Sequence, residues 1–379
     1  MNIKNINNPF IISKQIPEEL FCDRKEETSL LIKQIENGRN VVLVSPRRMG
    51  KTGLLYHLFR QQEIADNYHS FYIDIYPASS LKEMCYIFGK EVFECLKSKK
   101  TQHLETFIQV IKSLRPGVKF DAITGEPKFE LGFGAIESPE TTLDEIFHYL
   151  ESSDKPCIVA FDEFQQIAEF QEKRVEALLR GKIQNCSKTI FLFSGSKQHT
   201  ISQMFHSKSK PFYQSAQTID LHPLDREVYS LFVERLFSQY GKHLEKDVVY
   251  GVYDKFDGTT WYLQMIMNEL FALTGRGETC TAALLEQALQ NIIDVQEGVY
   301  LSQLATLSPR QKQLLQAIAK EGAIKSVTSA AFIKKYALDS ASSVQSALKG
   351  LTEKEFLSST DGQHRISDYF LAIWLRKKY

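Results

Sequence analysis

The sequence predicts an α/β fold with a mostly parallel five-stranded sheet and helices on both faces. Short apolar runs typical of buried strands alternate with helical patterns over the first 224 residues. One run leads into a Gly-Lys-Thr turn, and another ends in two carboxylates. Ligands of such sheets bind at the carboxyl ends of the strands, so polar residues there are the first candidates for a site. The predicted strands lie at 41–44, 71–75, 157–161, 189–193 and 218–221.

The first strand is predicted to deliver a phosphate-binding loop. Gly50, Lys51 and Thr52 match the end of the template G-x-x-x-x-G-K-[ST], and a helical pattern follows them. Backbone N–H groups at the helix start would hold phosphates, Lys51 would reach the β and γ oxygens, and Thr52 would take Mg²⁺. A nucleoside triphosphate is therefore the expected ligand. The predicted contacts are Ser45, Pro46, Arg47, Arg48, Met49, Gly50, Lys51 and Thr52.

The loop departs from the template at Ser45, which stands where the first glycine belongs. Serine resists the positive φ that glycine adopts freely, so the loop is expected to bend differently here. Pro46 stiffens the next position and could offset this loss. Arg47 and Arg48 fit two interpretations, a pair that screens phosphate charge and a solvated pair in a loop.

Asp162 and Glu163 predict a second, acidic part of the site at the end of another strand. Asp162 would hold Mg²⁺ through water, and Glu163 would polarise the attacking water as the catalytic base. This placement fits a Walker B motif of the ATPases that carry an additional strand, although an exposed strand end would have the same residues. The next strand ends in Ser194-Gly-Ser196, and either serine could be the sensor 1 residue that contacts the γ-phosphate or the water.

Composition narrows the functional classes. With 379 residues, 43% hydrophobic and 24% charged, the chain can bury a sizeable core in two or three domains. The formal net charge is zero, so contact with nucleic acid would need a local patch. Six scattered cysteines predict reduced thiols in a cytoplasm, and the lack of a signal peptide or long apolar run predicts no membrane contact. The absence of N-K-x-D and LSGGQ-like stretches disfavours GTPases and transporter ATPases.

The remainder of the chain predicts two further domains and one insertion. Residues 225–304 are wholly helical in pattern, with the size and place of a lid over the nucleotide. Residues 305–379 begin with a capping box at Ser308 and continue as three helices and a hairpin with a turn at Asp361-Gly362, the order of a winged helix. About residues 115–140, short apolar alternations around a Gly-containing turn predict a β-hairpin inserted into the core of residues 1–224, either a partner contact or a plain insertion.

Five motifs spread over nearly the whole chain are specific in combination. They are Phe21-Cys-Asp-Arg-Lys-Glu-Glu27, Ser45-Pro-Arg-Arg-Met-Gly-Lys-Thr52, Phe161-Asp-Glu-Phe164, Phe193-Ser-Gly-Ser196 and His364-Arg-Ile-Ser-Asp-Tyr-Phe-Leu-Ala-Ile-Trp374. Together they resemble the archaeal-type AAA+ ATPases, which are related to STAND ATPases and origin-recognition initiators. The resemblance implies a RecA-like core, a helical lid, a C-terminal winged helix and ATP as the nucleotide.

The resemblance also implies roles for single residues. Phe21 and Arg24 would lie beside the adenine, while Asp23 could instead simply cap the following helix. The usual trans-acting arginine is not assignable, since Phe212-Tyr-Gln-Ser-Ala216 replaces the Gly-Arg pair of many relatives. In a possible homo-oligomer, Arg174 or Arg180 could face a neighbour's nucleotide, although an amphipathic helix with arginine on its wet side has the same pattern.

The sequence therefore predicts an ATP-hydrolysing AAA+ switch that couples nucleotide state to a winged helix. The resemblance implies that the segment at 261–263 approaches the nucleotide like a sensor 2, yet it contains no arginine here, and its aromatic residues are better explained as core. A DNA-binding initiator-like or mobile-element protein and a scaffold with negligible turnover are the alternatives, with a protein partner possible through the hairpin or winged helix. Duplex DNA is undersupported, because the third helix of the wing domain presents a single cation, Lys349, on its outward positions. The cations to test for DNA contact are Lys349, Lys354, Arg365, Arg376, Lys377 and Lys378.

Overall fold

The computed structural model describes residues 6–12, 16–98, 103–113, 116–120, 127–131, 136–360 and 362–379. The strands are β1 Val41–Val44, β2 His69–Asp74, β3 Pro116–Phe120, β4 Pro127–Leu131, β5 Cys157–Asp162, β6 Thr189–Gly195, β7 Gln217–Asp220, β8 His243–Leu244, β9 Thr279–Cys280, β10 Leu357–Thr360 and β11 Gln363–Ile366. The helices are α1 Lys25–Glu36, α2 Lys51–Leu58, α3 Gln62–Ala65, α4 Leu81–Ser98, α5 His103–Val110, α6 Pro139–Ser152, α7 Val175–Gln184, α8 Gln198–His206, α9 Arg226–Gln239, α10 Lys246–Lys255, α11 Thr260–Leu273, α12 Ala282–Ala305, α13 Pro309–Glu321, α14 Ala330–Lys335, α15 Ala341–Glu353 and α16 Tyr369–Lys378.

The central sheet contains five parallel strands in the order β2-β5-β6-β1-β7. The predicted five-stranded parallel sheet is thus confirmed. β6 lies between β1 and β5, so the strand that contains Ser194 and is followed by Ser196 separates the P-loop strand from the strand that ends in Asp162. Every residue of β1 and β5 is buried, as expected for strands of a parallel sheet covered on both faces.

Alternate side chains of each strand pack into two hydrophobic cores, one on each face of the sheet. Val42, Val159 and Phe193 pack on the side of α4, α6 and α7, whereas Val41 and Ile158 pack on the side of α1 and α2. The prediction of helices on both faces is therefore confirmed. The carboxyl ends of β1, β5 and β6 meet at one edge, because parallel strands run in the same direction.

The chain divides into two compact units. One contains residues 1–7, 11–229 and 258–262, and the other contains 8–10, 230–257 and 263–379. The first holds the sheet, and the second holds most of the predicted lid together with the C-terminal module. The domain boundaries at 224 and 304 stay predictions.

The C-terminal module has the helices and hairpin of a winged helix, which confirms this part of the predicted fold. α13 begins with a capping box in which Ser308 and Gln311 satisfy each other's backbone N–H. The predicted apolar stripe of α15 is buried, and β10 pairs antiparallel with β11 as the wing. A bridge between Ile324 and His364 extends the wing. Asp361, half of the predicted turn, lies outside the described residues.

The predicted insertion contains the antiparallel pair β3 and β4, whose register joins Pro116 to Leu131. Its turn at 121–126 and the flanking residues 114–115 and 132–135 lie outside the described part of the chain. A role of this hairpin in partner contact stays a prediction. Among the described residues, no helix combines the length and hydropathy needed to cross a bilayer.

Candidate nucleotide-binding site

The loop between β1 and α2 takes its unusual backbone angles at two residues. Arg48 has φ 71° and Gly50 has φ 87°, whereas Ser45 is not among the residues with positive φ. Ser45 thus avoids a positive φ, as expected for serine, and the positive φ angles lie further along the loop. A non-glycine residue in this region costs about 1–3 kcal/mol, so the contacts around Arg48 must maintain its conformation.

Two carbonyl groups of the loop are held by partners outside it. The carbonyl of Arg48 accepts a 3.0 Å hydrogen bond from the N–H of Trp261. That of Met49 accepts bonds from Arg24 Nη2 at 3.2 Å and from Thr260 Oγ1 at 3.3 Å. Since trans peptides are planar, the N–H groups of the next residues, Met49 and Gly50, point away from these donors. These bonds hold two peptide groups of the loop in place from outside it.

Lys51 is buried, and its ammonium group folds back onto the loop. Nζ donates to the carbonyl and hydroxyl oxygens of Ser45, both at 3.1 Å, and to the carbonyl of Pro46 at 3.0 Å. Burial lowers the pKa of Lys51, and Arg47 adds to this effect, while Asp162 and Glu163 oppose it. The hydroxyl of Ser45 thus gives a ligand to the lysine that glycine could not provide.

Thr52 and Asp162 form the oxygen pair expected at a Mg²⁺ site. The Thr52 hydroxyl donates to Asp162 Oδ2 at 2.8 Å, and Ser194 donates to Asp162 Oδ1. Hydroxyl and carboxylate oxygens are ligands that Mg²⁺ prefers, and it usually needs only one or two carboxylates together with substrate phosphates. These residues therefore fit the metal. The described residues contain no group of three or more His, Cys, Asp or Glu that would form an independent metal centre.

Tyr72 is a site residue that the sequence analysis missed. Its hydroxyl donates to Asp162 Oδ2 at 2.5 Å, beside the Thr52 hydroxyl. Burial and the neighbouring Asp162 raise the pKa of Tyr72 far above its usual value, so the phenol stays a hydrogen-bond donor. Tyr72 stands two residues before the end of β2, and only the pairing of β2 with β5 brings it to Asp162.

Glu163 is held at the end of β5 by three donors. It accepts from Ser196 Oγ at 2.7 Å, from the Ser196 N–H at 3.3 Å and from Gln165 Nε2 at 2.5 Å. Arg47 Nε donates in turn to Ser196 Oγ at 3.0 Å. The two serines considered for sensor 1 therefore serve different carboxylates, Ser194 that of Asp162 and Ser196 that of Glu163. Their functional roles stay predictions.

Gln165 has little room beside β6. The side chain is buried, and a Cβ atom added to Gly195 would lie 2.2 Å from Gln165 Oε1. Only glycine at this position leaves space for the amide that donates to Glu163. No sequence signal marks this pair, because an ordinary Ser-Gly-Ser turn does not indicate what packs against it.

Phe21 and Arg24, the predicted adenine contacts, lie near α2 and the P-loop. Phe21 stacks on His57 with ring centroids 4.1 Å apart and planes 10° from parallel. Arg24 is buried and donates to Glu27 at 2.6 Å and to the His222 carbonyl at 2.7 Å, besides its bond to Met49. The alternative of an Asp23 cap is wrong, because Arg24 occupies the N-cap position of α1. The Arg24 side chain makes no capping hydrogen bond.

The two trans-acting arginine candidates lie together at α7. Arg174 precedes the first turn of α7 with φ 71°, and Arg180 lies within the helix. Their role in a neighbouring subunit stays a prediction.

The cations to test for DNA contact have partners within their own unit. Arg365 pairs with Asp257 at 2.6 Å, and Lys349 pairs with Glu353 at 3.8 Å. The others are Lys354 on the Thr306 carbonyl at 2.8 Å, Arg376 on the Ala319 carbonyl at 2.9 Å, Lys377 on Gln290 at 3.1 Å and Lys378 on Glu297 at 2.5 Å.

Family models match most of the chain. A model described as an ATPase domain predominantly from Archaea matches residues 21–266, which include every element of the site. The chain belongs to this archaeal-type ATPase family. A second model, described as a probable winged helix domain, matches residues 298–377 of this family member. Both matches confirm the resemblance inferred from the motifs. No curated protein sequence matches the chain.

Solved structures support the fold of this archaeal-type ATPase. The Walker-type ATPase of Pyrococcus abyssi is 20% identical with a TM-score of 0.64, covering 97% of this chain and 99% of its own. The Aeropyrum pernix ORC2 protein, solved as ADPNP–ADP complexes, is 15% identical with a TM-score of 0.60, covering 97% and 95%. The Aeropyrum pernix ORC1 protein, solved with DNA, is 12% identical with a TM-score of 0.54, covering 98% and 97%.

Proposed function

We propose that this protein binds ATP with Mg²⁺ and hydrolyses it to ADP and phosphate as a molecular switch. One observation carries the proposal: the P-loop comes together with Asp162 and Glu163 at the carboxyl ends of three adjacent strands, β5, β6 and β1. Family membership and the nucleotide complexes of the ORC2 protein support the same ligand.

Each residue has a role that its contacts support. The N–H groups of the loop and Lys51 bind the phosphates, with Lys51 leaving Ser45 and Pro46 for phosphate oxygens. Thr52 and Asp162 would hold Mg²⁺, which would supply positive charge to the phosphate oxygens. Glu163 accepts the proton of the attacking water and is positioned by Ser196 and Gln165.

The switch needs a connection from the nucleotide to the winged helix, and the chain near Asp257 offers one. Asp257 accepts hydrogen bonds from Arg365 Nη1 and the Tyr369 hydroxyl, each at 2.6 Å. A few residues further along, Trp261 donates to the carbonyl of Arg48 in the P-loop. One short segment is therefore bonded to the P-loop at one end and to the wing at the other. A change of loop conformation on ATP binding would bias this segment.

Steady-state ATPase assays and nucleotide titrations on the full chain test the proposal. Lys51→Ala is expected to abolish ATP binding, whereas Glu163→Gln should keep ATP but lose hydrolysis. Glu169→Gln makes the same chemical change outside the site, where Glu169 pairs with Lys197, and should hydrolyse ATP like the wild type. Normal hydrolysis by Glu163→Gln would reject the catalytic assignment. If the wild-type protein binds ATP but does not hydrolyse it, a nucleotide-binding scaffold is favoured.

Binding of duplex DNA is the second candidate function, suggested by the complex of the ORC1 protein with DNA. The cations to test for this role each have an intramolecular partner, and breaking such pairs would reduce the gain from phosphate contact. We therefore expect weak duplex binding. Salt-dependent affinity with a slope near −0.9 per phosphate contact would support DNA instead, and its loss in Arg365→Ala would place the contact on the wing.

A further inference from the structure

A P-loop arginine lies against an aromatic pair at the start of α11. The Arg48 guanidinium carbon is 4.3 Å from the centroid of Trp261 and 4.8 Å from that of Tyr262. Arg48 also donates a hydrogen bond to the Tyr262 hydroxyl, and its carbonyl accepts from the Trp261 N–H. The side chain of this loop residue thus contacts both aromatic residues, and its backbone carbonyl is bonded to Trp261.

We propose that Arg48 contacts the γ-phosphate of bound ATP and thereby distinguishes ATP from ADP, leaving Trp261 and Tyr262 when the triphosphate binds. The inference rests on the proposed ATP-binding function. The segment at 261–263 lies against the P-loop but contains no arginine. Arg48 brings a guanidinium to that same segment from the P-loop, so a cation is available there although α11 provides none.

The relative strength of two interactions supports movement of this side chain. A guanidinium over aromatic rings gains less than one that makes charge-assisted, bidentate hydrogen bonds to phosphate oxygens. A triphosphate would therefore draw Arg48 from the rings. ADP lacks the terminal phosphate, so with ADP the guanidinium stays on Trp261 and Tyr262.

The neighbouring arginine is placed for a different task. Arg47 Nε donates to Ser196 Oγ, which itself donates to Glu163. Arg47 is therefore connected to the acidic side of the site, whereas Arg48 is connected to the aromatic side. The sequence alone could not separate the roles of these two adjacent arginines, because their partners lie far away along the chain.

Two substitutions with opposite expected effects test the inference. Dissociation constants for ADP and for a non-hydrolysable ATP analogue are measured on the full chain by calorimetry. Arg48→Ala should raise the dissociation constant of the ATP analogue by about 10–100-fold, since a hydrogen bond between charged groups is lost. The dissociation constant of ADP should change by less than about threefold. Tyr262→Phe removes the hydroxyl that competes with the phosphate for Arg48. The dissociation constant of the analogue should therefore fall by about two- to fivefold, the scale of one net hydrogen bond.

A merely structural Arg48 predicts another result. Both substitutions would then disturb the same contact, so both would weaken the binding of ADP and of the analogue to the same extent. This outcome overturns the inference. Arg48→Lys keeps the charge without the planar fork and should recover part of the preference for the analogue. If the wild type binds neither nucleotide, the proposed function fails and the inference with it, whereas wild-type binding with an unchanged Arg48→Ala ratio rejects the inference alone.

Trp261 gives an independent readout. The chain contains two tryptophans, so Trp374→Phe leaves Trp261 as the sole tryptophan fluorophore. In that background the ATP analogue should change Trp261 emission more than ADP does, because the cation leaves the indole. Adding Arg48→Ala should remove the difference between the nucleotides. A difference that persists without Arg48 contradicts the proposed movement.

Discussion

The hydroxyl of Thr52 donates a 2.8 Å hydrogen bond to Oδ2 of Asp162 and so joins the first turn of α2 to the end of β5. Ser194 binds the other oxygen of the same carboxylate. Asp162 therefore has a fixed orientation before any metal is present. A fixed carboxylate reduces the ordering that metal binding would otherwise require.

Asp162→Asn is expected to weaken the Mg²⁺ dependence of ATP hydrolysis, because the amide keeps the shape but loses the charge. The apparent Mg²⁺ affinity should fall by at least about 10–100-fold, the range known for groups that orient metal ligands. A Mg²⁺ titration of ATPase activity measures it. Asp74→Asn is the control, since Asp74 lies opposite Asp162 in the β2–β5 register. Equal losses in both variants would show that general negative charge matters rather than the Asp162 position.

Ser194→Ala and Ser196→Ala should affect different kinetic quantities. Ser194 orients Asp162, so its loss is expected to raise the Mg²⁺ concentration needed for half-maximal rate. Ser196 orients Glu163, so its loss should lower kcat by about tenfold, as for one lost positioning bond, with little change in ATP affinity. Kinetics over a matrix of ATP and Mg²⁺ concentrations separate the two. The same change in both variants would contradict the division of roles.

Gly195→Ala tests the space that Gln165 needs. The added methyl would meet Gln165 Oε1 at 2.2 Å and displace the amide that donates to Glu163. We expect a loss of kcat greater than the change in ATP affinity. Gly181→Ala is the matched control, because nothing lies within 4 Å of its Cβ in α7 and the change should stabilise the fold by about 0.5–1 kcal/mol. Thermal unfolding and kcat are measured for both, and an active Gly195→Ala enzyme would rule out this constraint.

ATP affinity should fall with rising pH before the ordinary lysine pKa of 10.5 is reached. Burial lowers the pKa of Lys51 in the free protein, and the negative phosphates of bound ATP would raise it again. The complex then binds more protons than the free protein, so affinity decreases as pH rises through the lowered pKa. Calorimetric titrations at several alkaline pH values measure this slope. Lys51→Arg stays charged throughout, and an identical slope in that variant would assign the effect to another group.

Asp257→Asn should disconnect the wing from nucleotide state. The ion pair with Arg365 is partly exposed, so its loss is expected to change stability by less than about 1 kcal/mol. Hydrogen exchange of β10 and β11, compared with and without ATP, should respond in the wild type but not in the variant. Glu297→Gln, which removes the partner of Lys378 and Trp374 in the same unit, is the control. An unchanged response in Asp257→Asn would place the coupling elsewhere.

The sequence by itself determined the parts of this protein whose signal is contiguous. The apolar run of β1 with Gly50, Lys51 and Thr52 predicts strand, loop and helix together, and β5 with its terminal carboxylates predicts the opposing group. The capping box at Ser308 and the apolar stripe of α15 are equally local and were correctly predicted. Each depends on neighbours within one or two turns of the chain, which is where periodicity carries information.

Only the tertiary structure decided which distant residues serve these motifs. Strand pairing brings Tyr72 to Asp162, and chain packing brings Arg24 to the Met49 carbonyl and Arg48 to Trp261. It also gives Arg48 in the P-loop a positive φ, at a position that no sequence signal marks. These contacts join residues far apart in sequence, and their donors and acceptors are ordinary side chains that no local pattern marks. Their positions follow from sheet register and the packing of the segment at 258–262, which exist only once the chain has folded.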